Sequence, residues 1–171
     1  MPTTFTRFPS PLGDLLLTAS DSALTAVFFP TRHDSTPEAQ SDWREGDGRG
    51  PAAELLGRVR QQLTEYFDRS RTTFDLPLDP PGTTFQQQVW GLLRGIPYGT
   101  TTSYGELALR LGDPRATRAV GAANGKNPIP IIVPCHRVVG ARGELTGFGG
   151  GLDRKRWLLE HEGALLMLGR T

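Results

Sequence analysis

Cys135 is the only cysteine in the chain. No disulfide can close within it, and no multi-cysteine zinc site can organise it. The fold must therefore rest on an apolar core. Hydrophobic residues make up 37% of 171 positions, too many for a disordered chain. That length suits one domain or two small ones. No apolar run approaches the roughly 18 residues of a membrane helix. Met1 to Ser10 lacks the charged-then-apolar pattern of a secretory leader. A lone free thiol fits a reducing cytoplasm.

The charge is unevenly spread. Residues 1–84 carry 8 Lys+Arg against 12 Asp+Glu, a balance of −4, and residues 85–171 carry 11 against 6, a balance of +5. An acidic half joined to a basic half suggests a bipartite molecule whose basic part meets a polyanion. Asp79-Pro80-Pro81-Gly82 reads as the linker where the sign changes, which divides the chain into domains at 1–80 and 81–171.

The first half reads as a small sheet with one helix. The N-terminus has β character, with a turn at Pro9 to Gly13. Strands are expected over Leu15–Ala19 and 24–29, with another at 74–78. Residues 30–51, rich in Pro, Gly, Ser and charge, read as a mobile loop. Leu55, Leu56, Val59, Leu63, Tyr66 and Phe67 share one stripe of a helix over 54–67.

The second half reads as helical. Thr84 with Gln87 fits a capping box for a helix over 85–94, and Ser103 with Glu106 fits another for 104–111. Asp113 is a fitting N-cap and Pro114 sits at its favoured first helical position, opening a helix from Arg115 to about Asn124 with Gly125 as its stop. Two short helices joined by a glycine-containing turn suggest a helix-turn-helix, although many helical corners share that spacing. The third helix is nearly all small residues between Arg118 and Lys126. Tight internal packing would explain the small residues. Arg118, Asn124 and Lys126 favour a face that touches a ligand.

Ile129 to Val133 reads as an apolar strand running into Pro134-Cys135-His136-Arg137. Only a thiolate is a good nucleophile, and a nearby base raises its fraction. Adjacent residues on a strand face opposite ways, so contact between Cys135 and His136 would need a turn or a bridging water. A helix over 154–162 brings Glu162 as an orienting partner for the base. A lone cysteine is also a common small buried hydrophobe. The glycine-rich stretch 147–151 lacks the ending of a phosphate loop.

At Pro134-Cys135-His136-Arg137-Val138 the sequence closely resembles the O6-alkylguanine-DNA alkyltransferases. Phe85-Gln86, Val89-Trp90, Ile96-Pro97-Tyr98-Gly99, Thr102-Ser103-Tyr104-Gly105-Glu106, Arg118-Ala119-Val120-Gly121, Asn127-Pro128, Gly149-Gly150-Gly151 and Trp157-Leu158-Leu159 with Glu162 match the family in its order. The likeness is complete from about Thr84 to Gly163 and looser before it.

This resemblance implies an α/β (α+β) protein: a small N-terminal RNase H-like sheet-plus-helix domain, then a winged-helix, helix-turn-helix C-terminal domain. It implies stoichiometric, irreversible transfer of an alkyl group from O6-alkylguanine in duplex DNA, and from O4-methylthymine as a further substrate, to Cys135. His136, oriented by Glu162, would deprotonate Cys135 through a water. Asn127 would fix the turn holding the Cys-His segment. Tyr104 would press on a phosphate to rotate the base out and would protonate the leaving guanine. Arg118 would fill the gap left by the flipped nucleotide, with Thr102, Ser103, Ala119, Gly121, Ala122, Asn124 and Lys126 also on DNA. Backbone groups of Cys135 and Val138 would read the guanine edge. Pro130, Phe148, Gly149 and Gly150 would wall the pocket, Phe148 standing where some members have tyrosine.

Some members hold N-terminal zinc on cysteines that this chain lacks, so neither metal nor cofactor is expected. The partner is alkylated double-stranded DNA, met by a monomer in the cytoplasm. Competing readings are a lesion-binding relative without the reactive cysteine, a helix-turn-helix regulator, and a cysteine hydrolase using Cys135, His136 and Glu162. The third helix offers few side chains able to read a major groove, and Cys135 stands where the nucleophile belongs.

Overall fold

The computed structural model describes residues 3–30 and 43–165. It divides into two compact units, Met1–Pro81 and Gly82–Thr171. In the first, strands β1 (Thr3–Ser10), β2 (Gly13–Ala19), β3 (Leu24–Phe28) and β4 (Trp43–Glu45) form one sheet in the order β3-β2-β1-β4. The β1-β2 and β2-β3 pairs are antiparallel, and β4 lies parallel to β1. Helix α1 (Gly50–Phe67) packs on β1 and β2. Its stripe of Leu55, Leu56, Val59, Leu63 and Tyr66 is buried with Leu15, Leu17 and Leu24 of the sheet.

Two expectations for this half need correction. The 30–51 stretch is not one loop. It contains β4, a three-residue strand too short to show a period, and the first turn of α1. Residues 31–42 of that expected loop lie outside the described residues. The expected strand at 74–78 reduces to a single bridge between Leu24 and Leu78. Prolines at 77 and 80 deny a ladder its donors there.

The second unit contains α2 (Thr84–Arg94), β5 (Thr102–Ser103), α3 (Tyr104–Arg110), α4 (Thr117–Gly125), β6 (Val138–Val139) and α5 (Leu152–His161). The cap of α2 falls one residue earlier than expected. Both Thr83 and Thr84 have glutamine three positions on, and the structure uses Thr83 with Gln86 in a reciprocal box. Ser103 caps α3 by accepting from the Glu106 N–H at 3.1 Å, while the Glu106 carboxylate turns to Arg110. Pro114–Ala116 forms a separate 3-10 turn behind Asp113, and α4 starts only at Thr117. Buried Trp90 ties α2 to α4 by donating from Nε1 to the Ala123 carbonyl at 2.9 Å.

The expected strand at 129–133 is absent. Pro130 and Pro134 cannot donate to a ladder. The segment instead folds as tight turns, with Ile132 N–H on the Pro130 carbonyl and Val133 N–H on the Ile129 carbonyl, both 2.9 Å. Ile131 adopts φ 73° in the fully buried interior. That conformation is strained for a β-branched residue and persists only where surrounding contacts impose it. No helix among the described residues is long and apolar enough to cross a membrane.

Candidate active site

The 3-10 turn Cys135–Arg137 follows directly from those turns and leads into β6, which pairs in parallel with β5. Asn127 fixes the approach. Its Nδ2 donates to the Val133 carbonyl at 2.8 Å, and its Oδ1 accepts from the Ile129 N–H at 3.0 Å. The same side chain lies near the Cys135 thiol and favours its ionised form. One amide thus pins the strained loop that carries the sulfur.

Because the turn is not extended, Cys135 and His136 lie on a tight bend. His136 Nε2 sits 2.7 Å from Glu162 Oε2 at the end of α5, with both side chains fully buried. His136 Nδ1 is buried and has no hydrogen-bond partner among the described residues. Burial pushes His136 toward its neutral form, against the pull of Glu162. Burial also opposes ionisation of Glu162, but its bonds and charge contacts with His136 and Arg137 override this and hold it well below the usual carboxylate range. A neutral imidazole beside a fixed carboxylate is a base waiting for a proton.

Burial pushes the Cys135 thiol up to about 11, a rise that Asn127 and the Lys155 charge only partly offset. The resting sulfur is therefore protonated and needs a base. Lys155 is fully buried, with Nζ donating to the Thr146 carbonyl at 2.6 Å and lying 5.9 Å from the centre of the Tyr104 ring. Burial drives its ammonium down to about 8, against the opposing effect of Cys135. No carboxylate pairs with it among the described residues. The Tyr104 hydroxyl donates to the same Thr146 carbonyl at 3.1 Å, and burial raises the Tyr104 phenol above its ordinary value. Thiol, phenol and ammonium form one cluster.

Sequence reasoning missed Lys155, one charge among several that read as surface, and Arg137, whose partners Ile96 and Glu162 are distant in the chain. One signal was available. Lys155, Leu158, Leu159 and Glu162 fall at i, i+3, i+4 and i+7, the inward stripe of α5.

The helix expected to meet DNA divides into two faces. Arg118, Ala119, Ala122 and Lys126 are exposed. Gly121 is half-buried, and a Cβ placed there would lie 3.7 Å from the Tyr104 ring. Asn124 corrects the expectation. It is 1% exposed, and its Nδ2 donates inward to the Cys135 carbonyl at 3.4 Å. A packed helix did need this side chain, as a tie between α4 and the Cys-His turn. Thr102 and Ser103 are occupied by β5 and the α3 cap.

Val138 N–H also turns inward, donating to the Cys135 carbonyl, so it is not a free reader of a base edge. Pro130 and Gly150 are buried and Phe148 is half-buried. Gly149 lies close to the Gly125 carbonyl, 3.6 Å from where its Cβ would be. Among the described residues no group of three or more His, Cys, Asp and Glu is placed to hold a metal ion.

Two family models cover the chain. The model for the DNA binding domain of 6-O-methylguanine DNA methyltransferase matches residues 84–164. The model for the ribonuclease-like domain of the same proteins matches residues 4–80. A methylated-DNA–protein-cysteine methyltransferase of Methanosarcina acetivorans is 45% identical over 92% of this chain and 96% of its own length. One from Mycobacterium tuberculosis is 50% identical over 90% of this chain and 88% of its own. The crystal structure of the M. tuberculosis O6-methylguanine methyltransferase superposes with a TM-score of 0.81 at 46% identity, over 95% of this chain and 93% of that one. A structure of the M. tuberculosis protein in complex with DNA gives 0.80 at 46% identity, over 97% and 99%.

Proposed function

Since the chain belongs to the 6-O-methylguanine DNA methyltransferase family, we infer that it repairs DNA by direct reversal, moving the alkyl group of O6-alkylguanine onto its own Cys135. The relatives are named for a cysteine acceptor, and this chain has one cysteine. The observation that carries the reading is the setting of that thiol. It is buried near a tyrosine hydroxyl and a lysine ammonium, next in the chain to His136, and among the described residues the His136 Nδ1 has no hydrogen-bond partner and the lysine no carboxylate.

The steps follow from these groups. His136 takes the thiol proton at Nδ1 through a water, and Glu162 stabilises the imidazolium. Lys155 offsets the cost of a buried thiolate. The sulfur lone pair attacks the alkyl carbon in line with O6. The carbon–oxygen bond breaks, and its electron pair stays with guanine. Tyr104 supplies a proton to the leaving base. The product thioether offers no easy route back, so each molecule acts once. O4-methylthymine presents the same alkyl–oxygen bond and is a second candidate substrate. No step calls for a metal or organic cofactor.

The lesion reaches the thiol by base flipping from the minor groove. The exposed face of α4, with Arg118 above Ala119 and Ala122 and with Lys126 at its end, suits close approach to a groove. Arg118 fills the space of the extruded nucleotide, and Tyr104 supports its rotation. Phe148, Gly149, Gly150 and Pro130 wall the pocket. The protein acts as a monomer in the cytoplasm, a setting that suits a free nucleophilic thiol.

Two outcomes are expected. Labelled methyl transfer from a duplex with one O6-methylguanine stops at one methyl per protein molecule; continued turnover would contradict the reading. Arg118→Ala slows repair of the duplex by about 10- to 100-fold, the scale of a few kcal/mol of lost support for flipping, while reaction with free O6-alkylguanine base changes little. Equal losses in both would remove the finger role.

A further inference from the structure

Glu162 is held from two sides. His136 meets Oε2, while Arg137 donates from Nε to Oε1 at 2.8 Å and from Nη2 to Oε2 at 3.0 Å. The third arm of the guanidinium, Nη1, donates to the Ile96 carbonyl at 2.6 Å, and its carbon lies 5.6 Å from the centre of the Tyr98 ring. Arg137 is therefore braced by the segment after α2 while it grips the end of α5. It is 6% exposed.

We infer that Arg137 is a positioning residue for alkyl transfer: by forking both oxygens of Glu162 it fixes which nitrogen of His136 carries the proton and keeps that imidazole neutral until it takes the thiol proton. This inference rests on the function proposed above.

The reasoning is one of donors and charge. A carboxylate gripped by a guanidinium stays ionised and can only accept. His136 Nε2, at 2.7 Å from it, must therefore be the protonated nitrogen. That leaves Nδ1 with the lone pair, and Nδ1 is the buried atom with no partner among the described residues. A carboxylate facing His136 alone would do more than orient it. It would draw a proton onto the imidazole before any thiol proton arrived. Sharing Glu162 with a permanent cation divides that field. The charged groups around His136 are Glu162 and Lys155 from α5 and Arg137 from its own turn, with Cys135 beside it as a neutral thiol. Glu162 favours the imidazolium, and the two cations oppose it. Removing the Arg137 charge leaves Glu162 undivided and deletes one repulsion. Both changes make His136 easier to protonate.

The test is the pH dependence of single-turnover methyl transfer from a duplex with one O6-methylguanine, for the native chain, Arg137→Gln and Arg137→Lys, each checked for native circular dichroism. In Arg137→Gln the rate at about pH 6 relative to that at about pH 8 falls about threefold further than in the native chain, because the base is already protonated there. Arg137→Lys keeps the charge but not the fork, so its profile stays in place while its plateau rate falls. A merely structural arginine would lower rates without moving the profile. An Arg137→Gln profile that superimposes on the native one, or that moves to lower pH, overturns the inference. Should Arg137→Gln not fold, Arg137→Lys decides through the nitrogen-15 shifts of the His136 ring: a proton fixed on Nε2 in the native chain but shared between both nitrogens in the variant supports the inference, and the same single tautomer in both overturns it. Failure of the native chain to transfer methyl at any pH would instead overturn the proposed function.

Discussion

Cys135→Ser abolishes methyl transfer while the protein folds and still binds duplex DNA. The loss is at least about 10⁴-fold, the scale on which removing a nucleophile acts in enzymes that depend on one. The site explains why serine is no substitute. A neutral imidazole and one ammonium must coax even a thiol into ionising in a buried pocket, where its proton affinity is pushed up to about 11. An alcohol holds its proton far more tightly, so the same groups yield no useful alkoxide. Serine is also slightly smaller, and the Asn127 bonds to Val133 and Ile129 do not involve it, so the turn survives. Binding is read by gel shift on the same duplex. Transfer by the serine variant would move the acceptor elsewhere in the chain.

Glu162→Ala carries two losses at once. His136 loses its orienting partner, and transfer slows by about 100-fold, within the range that positioned acid–base groups contribute. Arg137 loses its only carboxylate among the described residues. Removing one member of a buried ion pair costs about 3–5 kcal/mol, because the survivor is left uncompensated. Chemical denaturation measures the second effect, and transfer at saturating duplex measures the first. Unchanged stability would mean that Arg137 finds another partner. An unchanged rate would remove Glu162 from the reaction.

The same carboxylate sets an acid limit on the fold. Its folded proton affinity lies below the ordinary value of 4.5. Its stabilisation is therefore fully present above pH about 4.5 and is lost as pH falls from there toward the folded value. The native chain loses stability over that acidic window, and Glu162→Ala, which has no such group, shows a shallower decline.

Short-range signals were legible in this sequence. The Thr-x-x-Gln and Ser-x-x-Glu spacings located the starts of α2 and α3 to within a residue, because caps are decided by neighbours three positions apart. The stripe from Leu55 to Phe67 gave α1, because periodicity reports burial directly. The Cys-His pair and Glu162 stood out as candidates through their chemistry, and the structure brings His136 and Glu162 together at 2.7 Å. What failed was set by distance. The run Ile129 to Val133 looks like a strand until its prolines and the Asn127 bonds turn it. Asn124 looked like a surface donor because nothing local reveals that the Cys135 carbonyl waits behind it. Lys155 and Arg137 are buried only because α5 and the Cys-His turn converge. A charge buried by distant partners leaves almost no trace in its own neighbours.

The central claim is that Cys135 itself becomes the permanent resting place of the lesion's alkyl group. Mass spectrometry of the intact protein and of its peptides, after mixing with a duplex carrying one O6-methylguanine, tests it most directly. The account predicts a gain of one methyl group per molecule, stoichiometric with lesion lost and confined to the peptide containing Cys135. An unmodified protein, or a methyl group on any other residue, would contradict it.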